Sequence, residues 1–298
     1  MRRILFIYNP KAGKGIIRTK LSYILEELAK CDCEITVRPT QRASEAIQVS
    51  REYGGRYDVI VCSGGDGTLN EVATGLRQGG WSTPVGYIPA GSTNDFGNSL
   101  GIPKQMQDAA ETIRNGIVFP CDLGRLGDCY FVYVAAFGVF TEVSYKTKQE
   151  VKNALGHLAY LLEGVKSLSS IKSWEMRYES REQSGTGKFL YGMVTNSNSV
   201  GGFKGITGQD VTLNDGEFEV TLILEPENFI EWPGIINSLL NGDRNRYIIS
   251  FKTSRVEFFS EEEVPWTTDG EYGGSYSHAV IENLPKALPI IVAKDPQE

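Results

Sequence analysis

Histidine is almost absent from this chain, and cysteine offers no paired framework. Among 298 residues there are two histidines, His157 and His278. This number argues against a zinc site built on several imidazoles and against a Ser-His-Asp hydrolase. The five cysteines are odd in number, and Cys62 and Cys121 lie in apolar runs typical of small core residues. This usage favours a reducing, cytoplasmic setting over a disulfide-linked secreted protein.

An excess of positive charge and a long apolar run are also lacking. The 30 Lys and Arg residues are outnumbered by 37 Asp and Glu residues, and the net charge of −7 argues against a nucleic-acid binder. The longest apolar run, residues 130–140, is too short to span a bilayer, and the few apolar residues near the amino end are too few for a signal peptide. Membrane contact is therefore expected to be peripheral. One local basic cluster is either a candidate for that contact or a solvated helix face: Lys146, Lys148, Lys152, Lys166 and Lys172.

Glycine is abundant where one predicted strand ends. The motif Gly64-Gly65-Asp66-Gly67-Thr68 separates an apolar run over residues 59–62 from a helix-like stretch. Glycines allow positive φ and close approach of a ligand, and the amides of such a turn form an anion site with the helix N-terminus. Because Asp66 would repel a bare phosphate, a divalent cation or a water shell is expected between them. A tight turn without a ligand is the alternative.

Two further polar loops follow predicted strands. Residues 9–15, with two lysines and two glycines, come after the apolar run 4–8, and residues 89–96 come after the run 85–88. In an open parallel sheet, ligands bind beyond the carboxyl ends of the strands. The three loops therefore predict one crevice for a phosphorylated ligand.

Strand and helix patterns alternate in the first part of the chain. Strands are predicted over residues 4–8, 34–38, 59–62, 85–88 and 117–122, with apolar stretches of helical period between them. This order is typical of an α/β domain with a doubly wound, mostly parallel sheet, which we expect to span residues 1–122.

Strand patterns dominate after residue 122. They predict a mainly antiparallel β-sandwich over residues 123–287, with runs at 130–136, 174–179, 189–195, 217–224, 246–251, 256–259 and 278–282. Only residues 151–168 and 228–240 look helical, and Ser-Gly-Thr-Gly at 184–187 predicts a hairpin turn. The last run, within residues 288–298, either returns to the first domain or ends the second.

The motifs occur in an order that resembles a known family. Asn-Pro-x-x-Gly at 9–13, Gly-Gly-Asp-Gly-Thr-x-x-Glu at 64–71 and Pro-x-Gly-x-x-Asn-Asp-Phe at 89–96 resemble the diacylglycerol kinase catalytic family. That family includes soluble bacterial lipid kinases and the related sphingosine and ceramide kinases. Residues 152–160, 194–196, 213–216 and 269–271 resemble its later motifs, so the resemblance covers nearly the whole chain.

The resemblance implies an ATP site with magnesium. Phosphoryl transfer needs a cradle for the phosphates, a cation and a group that orients or deprotonates the acceptor. Three aspartates follow predicted strands and together suit a magnesium and water network: Asp66, Asp95 and Asp122. Asp66 would have a catalytic role in this network. For Asp95, an ordinary helix cap is an equal alternative. The expected nucleotide contacts are the loop residues and two threonines: Asn9, Pro10, Lys11, Ala12, Gly13, Lys14, Thr40, Gly64, Gly65, Asp66, Gly67, Thr68, Leu69, Asn70, Thr93 and Asp95.

The resemblance also assigns roles in the second part of the chain. Asp215 would hold a cation together with the carbonyls of Thr212 and Glu217, and the alternative is a type I′ hairpin turn over Asn-Asp-Gly. Glu271 would be the general base that takes the proton of the acceptor hydroxyl, and the alternative is an ordinary surface turn.

The leading hypothesis is an ATP- and Mg²⁺-dependent lipid kinase that converts diacylglycerol to phosphatidic acid. It would work in the cytoplasm with transient, peripheral contact to the membrane, and a homodimer is one expected state. Tyr133, where an asparagine is common, and Gly-Gln-Asp-Val at 208–211 in place of Ala-Pro-x-Ala leave the acceptor open. A sphingoid base or a phosphatidylglycerol-type lipid is an alternative acceptor. An NAD kinase shares Gly-Gly-Asp-Gly-Thr, and a nucleotide-binding regulator without turnover is the non-enzymatic alternative.

Overall fold

The computed structural model describes residues 1–138, 172–201, 203–204, 207 and 211–294. The chain divides into two compact units, Met1–Leu123 with Pro285–Glu298, and Gly124–Leu284. The predicted helix at 151–168 and the basic cluster, apart from Lys172, lie outside the described residues. No helix in the described part of the chain is long and apolar enough to cross a membrane.

The first unit is built on a parallel sheet. Its strands are β1 (Arg2–Tyr8), β2 (Cys33–Pro39), β3 (Val59–Gly64) and β4 (Val85–Pro89). β1 pairs in parallel with β2 and β3, and β3 pairs in parallel with β4. Every residue of β3 and β4 is buried, as expected for parallel strands covered on both faces. The predicted α/β class is confirmed.

Five helices accompany this sheet, and most follow the predicted pattern. They are α1 (Ile17–Leu28), α2 (Glu45–Tyr53), α3 (Asp66–Gly79), α4 (Asp95–Ser99) and α5 (Met106–Asn115). α1 packs with α5, and α2 packs with α3. α3 begins at Asp66, with Gly65 as its N-cap, so Asp66 and Gly67 of the glycine-rich motif already belong to the helix. The five-residue helix α4 was not predicted.

Two long strands run through the boundaries between the units. β5 (Ile117–Leu126) passes residue 123, and β15 (Glu271–Val292) passes residue 285. In the closing part of β15, Ile290 pairs in parallel with Val85 of β4. The end of the chain thereby adds a strand to the first unit.

The second unit is mainly antiparallel. It contains β6 to β14 and one described helix, α6 (Trp232–Asn241). The strands are β6 (Cys129–Phe131), β7 (Val134–Gly138), β8 (Trp174–Ser180), β9 (Ser184–Thr195), β10 (Ser199–Val200), β11 (Phe203–Lys204), β12 (Phe218–Leu224), β13 (Ile248–Thr253) and β14 (Arg255–Thr268).

Two long strands of this unit, β9 and β14, each pair with both β7 and β8. β9 pairs with β8 along its first half and with β7 along its second half, and β14 pairs with the same two strands in the same order. Their inward side chains form one core, in which the Trp266 ring lies 4.8 Å from Phe137 and 5.2 Å from Phe258 between ring centroids. Aromatic contacts of this kind stabilise beyond the area that they bury.

Two local predictions in this unit are wrong. Residues 184–187 form part of β9, and the turn precedes them. A Cβ on Gly185 would lie 2.9 Å from the Tyr178 ring on the paired strand, so this glycine makes room for a side chain and does not mark a turn. The predicted strand 130–136 is also interrupted, at Val132 and Tyr133, because the N–H groups there bind the carboxylate of Asp269.

Candidate active site

The three polar loops of the first unit touch one another at the carboxyl edge of its sheet. The Asn9 N–H donates to the Ser63 carbonyl at 2.9 Å, and the Ala90 N–H donates to the Gly64 carbonyl at 2.7 Å. Gly13 has φ 54°, and a Cβ there would lie 2.2 Å from the Ala90 carbonyl oxygen. Glycine is therefore required at position 13 by both backbone conformation and contact.

The glycines of the second loop are not all required for the same physical reason. A Cβ on Gly64 would lie 2.2 Å from the Thr68 Oγ1, so packing alone requires glycine there. A Cβ on Gly65 would meet the Gly91 Cα at 3.5 Å, an ordinary contact, and one on Gly67 would meet nothing within 4 Å. Neither Gly65 nor Gly67 has positive φ. Packing and backbone strain therefore leave these two glycines unexplained, and Gly67 faces open space at the start of α3.

Asp66 is the first residue of α3 and is buried beside that open space. Its Oδ2 accepts the Asp95 N–H at 3.1 Å, whereas its Oδ1 has no hydrogen-bond partner among the described residues. Burial, followed by the negative charge of Asp95, raises the pKa of Asp66 to about 6. A buried carboxylate oxygen without a donor suits a cation or the water shell of one.

The third loop is held by a network that the sequence did not predict. Asn94, at φ 51°, accepts the Gly91 N–H at 2.8 Å through Oδ1 and donates to the Gly91 carbonyl at 3.0 Å through Nδ2. The Tyr87 hydroxyl lies 3.2 Å from the same Oδ1 and 3.1 Å from the Gly64 carbonyl. Tyr87 thus connects the second and third loops. It lies within an apolar strand, where nothing in the sequence marks it.

Asp122 has a hydrogen-bond partner in the closing segment of the chain. Its Oδ1 accepts the N–H of Lys286, which has φ 55°, at 2.7 Å. Within the described ranges no group of three or more His, Cys, Asp or Glu residues could hold a metal ion. The structure therefore brings Asp66 and Asp95 together and gives Asp122 a partner in the closing segment.

Three other predicted nucleotide contacts take part in local hydrogen bonds. The Thr40 N–H donates to the Tyr8 carbonyl at 2.9 Å, and the Thr93 carbonyl accepts the Asn98 Nδ2 at 2.8 Å. The Lys11 N–H donates to the Asn9 side chain at 2.9 Å in a tight turn. The side chain of Lys14 lies outside the described part of the chain.

Glu71, the last residue of the second motif, acts on a different element. Its Oε1 accepts the Ser44 N–H at 3.0 Å and its Oε2 accepts the Ala46 N–H at 3.2 Å. These donors belong to the first turn of α2, whose amides have no partners within the helix. Glu71 therefore fixes the loop that follows Thr40. The sequence motif contained this residue, but its spacing did not reveal its partner.

A cavity of about 470 Å³ lies beside the first and third loops. Lys20, Tyr23 and Lys104 line it together with Gly13 and residues 89–94, and the Gly64–Gly67 turn does not. The cavity therefore adjoins the glycine-rich turn without including it.

The Asp215 turn in the second unit is not a type I′ hairpin. Only Gly216 there has positive φ, and the Asp215 Oδ1 accepts the Glu217 N–H at 3.0 Å. The Lys252 Nζ lies 3.9 Å from the other Asp215 oxygen and 3.2 Å from the Glu219 Oε1. Burial raises the pKa of Glu219 to about 7. A cation bound at Asp215 would share this carboxylate with the Lys252 ammonium group.

The type I′ turn occurs instead at Asp269 and Gly270, which have φ 51° and 83° and join β14 to β15. The Asp269 carboxylate is buried and accepts three N–H groups, from Val132 at 2.7 Å and from Tyr133 and Val134 at 3.0 Å each. Glu271 follows directly and is exposed. The result is a fixed turn that presents an exposed carboxylate.

Comparisons with known proteins agree with this arrangement. A model of the diacylglycerol kinase catalytic domain matches residues 3–126. The chain is 34% identical to a diacylglycerol kinase of Bacillus subtilis (strain 168) over 100% of this chain and 99% of that protein. It is 32% identical to a diacylglycerol kinase of Staphylococcus carnosus (strain TM300), over 99% and 96%. The chain belongs to the diacylglycerol kinase family.

The fold of this diacylglycerol kinase family member also has a solved counterpart. A Bacillus anthracis (strain Sterne) protein assigned as a diacylglycerol kinase matches it with a TM-score of 0.84 and 26% identity, covering 99% of this chain and 98% of that one. Family membership confirms the predicted class, a lipid kinase that transfers phosphate to an alcohol, with ATP as the donor. It also decides between the lipid kinase and NAD kinase families in favour of the former.

Proposed function

We propose that this chain transfers the γ-phosphate of ATP to the free hydroxyl of diacylglycerol and produces phosphatidic acid, with Mg²⁺ as the cofactor. One observation supports the donor side above all. Gly65 and Gly67 are not required by packing or by φ, Gly67 faces open space, and the adjacent residue is buried Asp66, whose Oδ1 has no hydrogen-bond partner among the described residues. The relatives named as diacylglycerol kinases support the acceptor.

The phosphates would lie against the start of α3 and the first loop. The open side of Gly67 gives access to the first amides of the helix, which favour negative charge. Gly13 keeps the first loop close to Ala90 and so holds its amides beside the same edge. Mg²⁺, when bound, would neutralise charge on the phosphates, and buried Asp66, whose Oδ1 has no hydrogen-bond partner among the described residues, is the carboxylate that we propose for its water shell.

Glu271 is proposed as the general base. An exposed carboxylate on a turn fixed by three hydrogen bonds can take the proton of an approaching hydroxyl as its oxygen bonds to phosphorus. Asp215, with the carbonyls of Thr212 and Glu217, is proposed to hold a second, structural cation. Lys252 lies where it would compete for Asp215.

We also propose a cytoplasmic protein that meets its lipid by transient, peripheral membrane contact. The proposal is supported by the absence, in the described residues, of a helix that could cross a membrane and by the free cysteines. It predicts that the protein stays in the supernatant after lysis at moderate salt, and extraction by detergent alone would contradict it. A homodimer is a further proposal, tested by sedimentation equilibrium.

The decisive experiment follows label from γ-labelled ATP into four acceptors: diacylglycerol in vesicles, a sphingoid base, phosphatidylglycerol and NAD. We expect Mg²⁺-dependent label in phosphatidic acid. Label chiefly in another lipid would reassign the acceptor, and label in NAD would overturn the lipid assignment. If no acceptor is labelled, a nucleotide-binding regulator without turnover becomes the better hypothesis.

The role of Glu271 has its own test. Glu271→Gln should lower kcat by roughly 10²–10⁴-fold, the usual scale for a general base, with little change in the KM for ATP. The exposed Glu261 on β14 offers a control, and Glu261→Gln should leave both values unchanged. A Glu271→Gln protein that binds ATP weakly but turns over at the normal rate would show a positioning role only.

A further inference from the structure

Two cysteines lie side by side where α1 ends and β2 begins. The thiols of Cys31 and Cys33 both donate to the Leu28 carbonyl, with Sγ–O distances of 3.0 and 3.3 Å. Both residues are partly exposed, in contrast to the buried Cys62 and Cys121. The two sulfur atoms converge on a single oxygen, and both can be reached from solvent.

These thiols serve as donors at a helix end. The Leu28 carbonyl is one of the last four of α1, which have no donor within the helix. Burial, followed by the neighbouring Cys31 thiol, raises the pKa of Cys33 to about 11. Cys33 is therefore a poor starting nucleophile, and reaction is expected to begin at Cys31.

We propose that Cys31 and Cys33 are a modification site that closes a reversible intramolecular disulfide by exchange with a low-molecular-weight disulfide such as oxidised glutathione. The Cys31 thiolate attacks one sulfur of that disulfide and releases one thiol. Cys33 then loses its proton and attacks the Cys31 sulfur of the mixed disulfide, which releases the second thiol. The reagent is reduced to two thiols, and the two cysteines are oxidised.

Chain geometry permits the bond. One residue separates the cysteines, so their Cα atoms are at most roughly 7 Å apart, close to the upper limit of ~6.8 Å seen for disulfides. A bend at residues 31 and 32 shortens this span below the extended value. Closure therefore requires rotation of two side chains that already share an acceptor.

Oxidation would remove both donors from the Leu28 carbonyl. Beside it, Glu27 is buried and pairs with Arg114 of α5 at 3.0 Å, so loosening of the last turn of α1 weakens the contact between the two helices. Cys33 of β2 pairs with Arg2 of β1. The Tyr8–Pro39 pair, at the edge that bears the candidate site, lies six residues further along the same two strands, a distance of ~20 Å. The disulfide should therefore lower stability and leave kcat unchanged.

Intact-mass and peptide-mass measurements test this on the reduced full-length protein exposed to oxidised glutathione. We expect the peptide that contains both cysteines to lose two hydrogens. Cys31→Ser should leave it unmodified or slowly modified, and Cys33→Ser should retain one stable glutathione. Cys129→Ser is the matched control and should behave as wild type, because Cys129 donates to the Gly273 carbonyl elsewhere.

If a variant fails to fold, the mass measurements on the wild-type protein alone still test the proposed disulfide. Two glutathione groups retained on Cys31 and Cys33, or no modification at all, would overturn the proposal. Recovery of the original mass after addition of a dithiol reductant is expected, and failure to recover it would exclude a reversible site.

Discussion

Asp66 lowers the stability of the folded protein at neutral pH. Burial and Asp95 raise its pKa to about 6 from an ordinary 3.8, so the folded state holds this proton more tightly than the unfolded state. The stability contribution is fully present below the ordinary carboxyl pKa and is lost as pH rises through about 6. Each unit of pKa shift corresponds to about 1.4 kcal/mol.

Asp66→Asn should therefore unfold at a higher temperature than wild type at neutral pH, by about 1–3 kcal/mol of unfolding free energy. The difference should vanish in acid, because wild-type Asp66 is then protonated. Kinase activity should be lost, and ATP with Mg²⁺ should no longer raise the melting temperature. Melting curves across pH, with and without ligand, check both parts. A variant that is active, or less stable than wild type at neutral pH, would contradict this account of Asp66.

Glu71 offers a second test at the residue scale. Its two hydrogen bonds cap α2 and fix the loop after Thr40, so Glu71→Ala should cost about 1–2 kcal/mol of stability. If Thr40 contacts the nucleotide, the KM for ATP should rise while kcat at saturation stays near normal. Glu52→Ala removes the same charge from the exposed side of α2 and should change neither value.

The start of α3 gives the sharpest test at the scale of one element. Gly67 is helical and a Cβ there would meet nothing within 4 Å, so Gly67→Ala should stabilise the folded protein by about 0.5–1 kcal/mol. If phosphates approach this surface, the same methyl group should raise the KM for ATP. Gly234 in α6 has the same open surroundings, so Gly234→Ala should stabilise without any effect on ATP. Equal KM values in the two variants would remove the phosphate site from this turn.

The elements themselves were partly predictable. Parallel strands of the first unit are continuous apolar runs bounded by polar loops, so β1, β3 and β4 were predicted within a few residues of their bounds. β14 and β15 were predicted only as short pieces. Their pairing shifts register between Phe259 and Val264 and again between Trp266 and Thr267, which breaks the two-residue alternation on which the prediction depends.

The candidate site was predictable as far as its motifs, and less so in its contacts. Glycine and aspartate at strand ends identified the three loops. The connection through Tyr87, the cap formed by Glu71 and the bond from Asp122 to Lys286 join residues distant in sequence. A single sequence contains no local signal for such pairs, because each partner is an ordinary residue in its own segment.

At the scale of the whole molecule, both boundaries between the compact units fall inside continuous strands. The chain leaves the first unit within β5 and returns to it within β15. The Asp122 Oδ1 binds the Lys286 N–H at 2.7 Å, so the two crossing points are neighbours within the first unit. We therefore expect the first unit to be most stable when both of its segments are present.

An internal deletion tests this directly. Removal of residues 124–284, with a short Gly-Ser linker from Leu123 to Pro285, should leave a protein that melts cooperatively, because Ile290 can still pair with Val85 and Asp122 can still bind Lys286. Residues 1–123 alone lack both contacts and should be markedly less stable in urea. Since all three polar loops lie in this unit, ATP should raise the melting temperature of the deletion protein, and Gly67→Ala should reduce that rise. Equal stability of the two fragments would show that the closing segment is dispensable, and a deletion protein insensitive to ATP would show that the three loops do not suffice for the nucleotide.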